Sequence, residues 1–485
     1  MANSSESQTH RYNTRYRQRQ QEQLAGTAQE NLQNLRLTQQ EEEENSIQLS
    51  EEQANVLSII SEGRSVFFTG AAGTGKTFLL RRAITNLKRL HGNEFVFVTA
   101  STGMAAAALN GTTLHSFAGI GCASESAEGL LSTLYKMRDA KLRWQTAKAL
   151  VIDEINMIHG ELFEKLNYIA KKLRKQPDLE FGGLQLVVSG DFFQLCPVDV
   201  PNFHKFFAFQ ADCWDTCFEI QTELTEIYRQ SDLEFKLMLN EIRRGICSDQ
   251  SVEMLRARQG LRNEEGLTYT KLYFLKVDAE RENKHRLKEM EALGTEMFTF
   301  HAQDEDNGSE PVKSQINKLI AVKKLKLCVE AEVMLIYNLD TKRGLVNGTK
   351  GRVLGFQHTN ENPDISPGNV WPVVQFEGVN SPVHTVTPRS WDVFDENGNV
   401  IAGAKRIQVP LISAWALSAY KCQGLTLERV ETDLSTFCSY GLVYLVLSRL
   451  KTLEGLRLTG FHPSAVKVHP AVFEFYEKLG RNGIE

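Results

Sequence analysis

The 485-residue sequence has no apolar run long enough to cross a bilayer, so a membrane is not an expected partner. No hydrophobic leader opens it, and secretion is not expected. Cysteine is sparse and scattered. Of the eight, only Cys213 and Cys217 lie close, at the i, i+4 spacing of a helical turn and without nearby partners in sequence. That is a poor zinc site, and reduced thiols in an intracellular protein are the plain reading. Internal repeats are lacking, and so is a strong excess of one charge. A formal net charge of −5 neither marks nor excludes a nucleic-acid partner, because such a partner needs only a local basic lining. What is present, 42% hydrophobic and 24% charged residues, suffices for two or three domains with their own cores.

Residues 1 to about 46 stand apart: "HRYNTRYRQRQQEQ" is rich in Arg and Gln, and "QQEEEEN" is polar and acidic. Such a tail buries too little apolar surface to offset its ordering entropy and is expected to be disordered. Its Arg-bearing, acid-poor start faintly resembles an organelle transit peptide, although a solvated tail explains it as well. From Ile47 onward apolar runs at Phe95–Thr99, Leu150–Asp153, Leu184–Ser189 and Leu272–Leu275 alternate with helical stretches, the pattern of parallel α/β layers. Between about Val333 and Leu411, short β-rich runs separated by Asn, Gly, Pro and Asp turns predict a small all-β barrel inserted into an α/β domain.

The strongest local signal is "VFFTGAAGTGKTFLL", an apolar run, a glycine-rich turn and an amphipathic helix. Gly70, Ala71, Ala72, Gly73, Thr74, Gly75, Lys76 and Thr77 form the phosphate-binding pattern. Glycines let consecutive N–H groups and the helix N-terminus aim at phosphates. Lys76 can reach the β- and γ-phosphates, and Thr77 can sit on Mg²⁺. A turn of the same composition that binds nothing is the bland alternative. Further on, "ALVIDEINMI" ends a buried strand in Asp153 and Glu154, suited to holding Mg²⁺ and to orienting and deprotonating a water. "LQLVVSGDFFQLCPV" ends another strand and places Gln194 where it can sense a γ-phosphate; a loop-capping amide would look the same. In "EKLNYIAKKLRK", Leu166, Ile169, Ala170 and Leu173 make a core-facing stripe, with Lys171, Lys172, Arg174 and Lys175 as a basic face.

Taken in order, these segments resemble the PIF-type (petite integration frequency) family of superfamily 1B DNA helicases, with the RecD and TraA helicases more distant. The resemblance runs from Leu49 to Phe461 and includes "LSEEQANVLSII", "ASTGMAAAALNGTTLHSFAGIG", "LTEIYRQSDLEF", "LSAYKCQGLTLERV" and "YLVLSRLKTLEGLRLTGF". Asn156, Cys196, Tyr420 and Cys422 depart from the family pattern, at positions that remove no phosphate, metal or water ligand.

The resemblance implies an α/β fold of two RecA-like P-loop NTPase domains, 47–240 and 241–485. It places a small insertion near 118–145 in the first and an SH3-like β insert at about 350–405 in the second. It implies Gln53 on the adenine, Gly424 at the nucleotide, and Arg229 and Arg449 on the γ-phosphate of an ATP bound with Mg²⁺. It further implies a single-stranded DNA track over Ser101, Thr102, Thr113, His115, Phe117, Lys421, Gln423 and Tyr444, although a satisfied core histidine is an alternative for His115. The expected activity is ATP-dependent 5′→3′ unwinding of single-strand-tailed or forked DNA by a monomer in genome maintenance. G-quadruplexes and RNA–DNA hybrids are compatible substrates, and nucleus or mitochondrion compatible sites. An ATPase that only remodels protein–DNA complexes and a non-hydrolysing DNA-binding module are the alternatives.

Overall fold

Short apolar runs build the first sheet by sending alternate side chains to opposite faces. The structure, a computed structural model, describes residues 48–482 apart from 110, 122, 198–203, 262–268, 307–311, 314–315, 318, 320, 341–342, 344, 346, 359–369, 378–381, 395–399 and 436–438. The expected disordered tail lies outside the described residues. Strands β1 (Val66–Gly70), β2 (Val96–Ala100), β3 (Thr112–Thr113), β4 (Ala149–Asp153), β5 (Gln185–Ser189) and β6 (Ile220–Leu224) form one parallel sheet in the order β3-β2-β4-β5-β1-β6. Phe67, Leu150, Ile152, Leu186 and Val188 enter one apolar cluster, while Val66, Phe68, Ala149, Val151 and Val187 enter another. This sorting is the period of two in an extended chain, and helices on both faces make the strands apolar throughout. The phosphate-loop helix Lys76–His91 covers the second face with Leu79, Leu80, Ala83, Ile84 and Leu87.

Near 118–145 the chain forms helices Ala127–Lys136 and Arg138–Thr146, which pack on the helix Gly160–Arg174. The stripe Leu166, Ile169, Ala170 and Leu173 is buried there. Its basic neighbours are not simply a solvated face. Arg174 donates to the carbonyls of Trp144, Ala147 and Gly182, and Lys171 pairs with Glu180 at 2.9 Å.

A second parallel sheet follows, in the order Ala416–Ser418, Thr270–Tyr273, Val430–Leu434, Leu456–Phe461. Between its first two strands in the chain lie the helix Lys276–Ala292 and the inserted β region. That region is larger than 350–405. Its antiparallel strands begin at Phe298 and end at Ser413, in sheets of five, three and two strands. The five- and two-stranded sheets share one core, including Phe300, Leu325, Val333, Trp371 and Leu411, which explains why the early strands belong with the later ones.

The end of the chain also departs from a boundary at 240. The final helix Pro470–Asn482 returns to the first sheet, where Phe475 packs among Phe67, Phe192, Phe209 and Trp214 at ring-centroid distances of 6.1, 5.4, 4.4 and 6.3 Å. An aromatic stripe on a short helix gains most where other rings already form a cluster. Residues 470–482 therefore complete the first domain's packing.

Candidate active site

Gly70 to Thr77 join β1 to the helix Lys76–His91 with φ of +92° at Gly73 and +83° at Gly75, in the left-handed region that glycine alone enters freely. A Cβ on Gly73 would meet Arg229 Cβ at 2.7 Å, so the loop also needs glycine for close approach. Lys76 Nζ donates to the carbonyls of Gly70 at 2.7 Å and Ala71 at 3.1 Å. Burial lowers its pKa, against the opposing charges of Asp191 and Glu154. Thr74 Oγ1 donates to Ala71 O at 2.9 Å, and Thr77 is exposed on the first turn of the helix. Backbone amides, a helix N-terminus and an ammonium group thus converge, a donor set matched to a polyphosphate.

At the end of β4, Asp153 is buried and its Oδ1 accepts the Glu154 amide at 2.9 Å. Burial, and then the charge of Glu154, push Asp153 up to about 7, against that amide and Lys76. Glu154 has left-handed backbone, φ +54°, and burial raises its carboxyl against Lys76, Arg449 and Gln423. A buried and a half-buried carboxylate at the end of β4, and an exposed threonine hydroxyl at the end of the phosphate loop, are hard oxygen donors suited to Mg²⁺.

Residues of the second domain complete this set. Gln423 Nε2 donates to Glu154 Oε2 at 2.8 Å, and Arg449 Nη2 reaches Gln194 Oε1 at 3.5 Å. Arg449 is 2% exposed and also donates to Leu445 O, Leu425 O and Ser448 Oγ. From the first domain, Arg229 Nη1 donates to Ser448 O at 2.9 Å. Burial, and then the nearby Arg449 charge, push Arg229 down to about 9. Two guanidinium groups that oppose one another form a place where an anion would be stabilised. The approach depends on Gly441, φ +72°, where a Cβ would meet the carbonyl oxygen of Gln194 at 2.2 Å.

Three residues read as DNA contacts occupy other positions. Tyr444 is buried, and its hydroxyl accepts the Ala72 amide at 2.7 Å, so it braces the phosphate loop. Gln423 faces the Glu154 carboxylate. Phe117 is 2% exposed and packs on Phe97 and Trp144 at 5.0 and 4.9 Å, as part of the core. The remaining residues lie near strand ends. Thr102 and Thr113 cap the short helices Gly103–Ala108 and Leu114–Ala118 by accepting the amides of Ala105 and Ser116. The Ser101 amide donates to Asp153 O at 3.2 Å, tying this segment to the carboxylate strand. His115 is partly buried, which lowers its pKa. Lys421 is partly buried on the turn Ala419–Cys422, and Gly424 is exposed with φ +79°. Gln53 accepts the Ser50 amide while Ser50 Oγ accepts that of Gln53, a capping box at the start of the helix Glu51–Ser61. Asn156 links the ends of β4 and β5: its Nδ2 donates to Leu195 O at 2.8 Å, and its Oδ1 accepts the Asp191 amide at 3.4 Å.

Sequence reasoning gave no role to Asp191, Arg243 or Tyr476. Asp191 is fully buried and accepts from Gln194 Nε2 at 3.1 Å, from the Arg243 guanidinium at 3.0 Å and from the Tyr476 hydroxyl at 3.2 Å. Burial would push Asp191 up, yet Arg243 and Lys76 hold it below the ordinary carboxylate range. Tyr476 also lies 2.5 Å from Thr69 Oγ1, one residue before the phosphate loop. The position of Asp191 at a strand end was a usable signal; nothing local marked its partners. Arg243→Leu strands a buried carboxylate, and a loss of about 3–5 kcal/mol in denaturant unfolding is expected. A loss below about 1 kcal/mol would show that the ion pair is not needed for stability.

Residues 48–253 match the family model described as PIF1-like helicase, and residues 314–356 match that of the DNA helicase Pif1 2B domain. The ATP-dependent DNA helicase PIF1 of Xenopus laevis is 40% identical over 442 residues, covering 89% of this chain and 65% of the relative. This chain thus spans 65% of that relative's length. The crystal structure of Pif1 helicase from Candida albicans superposes with a TM-score of 0.75 at 37% identity, covering 89% of this chain and 100% of that one. That of Pif1 helicase from Bacteroides in complex with ADP-AlF3 and ssDNA gives 0.61 at 26% identity, covering 90% and 98%. With two RecA-like parallel sheets, a complete phosphate loop and an arginine pair where the two domains meet, the chain belongs to the PIF1-like helicase family.

Proposed function

We propose that this protein is an ATP-dependent 5′→3′ DNA helicase that translocates on single-stranded DNA and unwinds tailed or forked duplexes. The observation that carries the reading is the pair of contacts across the domains, Gln423 to Glu154 and Arg449 to Gln194. Because hydrolytic groups and their partners sit on different domains, the charge at the γ-phosphate sets how closely the domains approach. The phosphate loop and Lys76 bind ATP, Glu154 orients and deprotonates the attacking water, and Gln194, Arg229 and Arg449 stabilise the γ-phosphate charge. Thr77 and Asp153 would hold Mg²⁺, which supplies charge neutralisation between the phosphates.

One short segment then couples nucleotide to DNA. Lys421 leaves the turn Ala419–Cys422 toward a lysine-rich groove, and two residues later Gln423 reaches Glu154. Movement of Gln423 on hydrolysis is transmitted to Lys421, which with Ser101, Thr102, Thr113 and His115 forms the DNA track. The Bacteroides relative crystallised with ADP-AlF3 and ssDNA supports both ligands for this architecture. The inserted β region is read as an SH3-like module that adds DNA contact, and the protein as a monomer. Structured DNA such as G-quadruplexes, and RNA–DNA hybrids, are further candidate substrates. The nucleus is the proposed location with the mitochondrion as alternative, decided by imaging a tagged full-length protein.

Two partial duplexes differing only in which strand bears the tail test the activity. Strand displacement is expected with the 5′ tail alone. Equal unwinding from a 3′ tail would refute the polarity, and DNA-stimulated hydrolysis without displacement would favour a remodelling ATPase.

A further inference from the structure

A groove of about 460 Å³ runs between the helix Lys276–Ala292, the strand Lys324–Leu327 and the turn bearing Lys421. Its floor is apolar and includes Leu287, Leu325 and Leu417, whereas six lysines and two glutamates line it. Both carboxylates are already matched, Glu280 with Lys276 at 3.6 Å and Glu291 with Lys326 at 2.8 Å. Lys284, Lys288, Lys324 and Lys421 have no ion-pair partner among the described residues. Six ammonium groups against two carboxylates leave the lining with an excess of positive charge that an anion would relieve. Burial and then the charge of Lys276 lower the pKa of Lys421, against the opposing charge of Glu280.

We propose that this groove binds the phosphodiester backbone of single-stranded nucleic acid, continuing the DNA track past Lys421. The inference rests on the reading of Lys421 as a DNA contact. Three observations favour this occupant over an acidic protein segment. The groove is continuous with Lys421, the side chain of the coupling turn. Lys284 and Lys288 lie one turn apart on the helix, with Lys324 on the strand and Lys421 on the turn beside it, so the unpaired charges form a line along the groove rather than a point. The line is also held rigid, because the Asn283 side chain donates to Ala416 O at 2.8 Å and accepts from Ala416 N at 2.9 Å. An apolar floor below a row of cations suits bases lying under a tracked backbone.

The test is a triple variant, K284E/K288E/K324E, of the full chain, which leaves Lys421 and the ATP site intact. Fluorescent oligo-dT strands from about 6 to about 30 nucleotides are titrated by anisotropy at several salt concentrations. On the shortest strands, affinity and stimulated hydrolysis should match wild type within about twofold. On the longest, affinity should fall at least about tenfold, and the slope of log K against log salt should shrink by about 2, the share of three phosphate contacts. The corresponding Lys→Gln triple variant should show the same length dependence with a smaller loss. Superimposable length series for wild type and both variants would overturn the inference while leaving the helicase reading in place. Wild-type protein that binds no strand would overturn both. Binding of an oligo-glutamate peptide that the variant loses, with DNA binding unchanged at all lengths, would assign the groove to a protein partner and overturn it as well.

Discussion

Arg449→Ala is expected to bind ATP but to hydrolyse it about 10³- to 10⁵-fold more slowly, the range for arginine fingers in related phosphoryl transfer. The expectation follows from position. Arg449 is 2% exposed, belongs to the second domain and reaches Gln194 of the first at 3.5 Å. Its remaining contacts, to Leu445 O, Leu425 O and Ser448 Oγ, anchor it within its own domain, so removal should leave the phosphate loop unchanged. Coupling is the more telling readout. Wild-type protein should change its affinity for single-stranded DNA between ATP-analogue and ADP states, and the variant should lose most of that difference. Fluorescence anisotropy under both nucleotides measures it, alongside DNA-stimulated ATPase. Normal hydrolysis with a normal nucleotide-dependent shift would make Arg449 structural and remove the basis for one ATP shared between two domains.

Lys76→Ala should lower hydrolysis by about 10²- to 10³-fold and abolish unwinding, the scale on which one preorganised charge-stabilising donor acts. Lys76 is the loop's cation; burial lowers its pKa, and the charges of Asp191 and Glu154 oppose that shift. Single-stranded DNA affinity without nucleotide should stay within about threefold, because among the described residues Lys76 donates to Gly70 and Ala71 and to none of the proposed track. Strand displacement at the wild-type rate would remove the phosphate loop from the mechanism.

The local chemistry of the site was legible before any fold was known. The glycine-rich turn, the carboxylates at a strand end and the buried stripe of the helix Gly160–Arg174 each depend on neighbours within about ten residues. Periodicity and backbone sterics act on that scale. The segment containing Gln423 and Tyr444 was also visible, but the direction of each side chain was not. Both turn toward the phosphate loop and the carboxylates beside it, where Gln423 meets a residue 269 positions away and Tyr444 one 372 positions away. The same limit hid Asp191, Arg243 and Tyr476, whose contacts span 52 and 285 positions. It also hid the return of the final helix to the first sheet. No local period encodes such a meeting. The sequence by itself determined the phosphate loop, the carboxylates at a strand end and the alternation of the first sheet; tertiary packing decided which early strands join the inserted β region, which domain owns the last helix and which side chains face the phosphate loop, because burying a charge or a hydroxyl requires a partner that only the folded chain brings within reach.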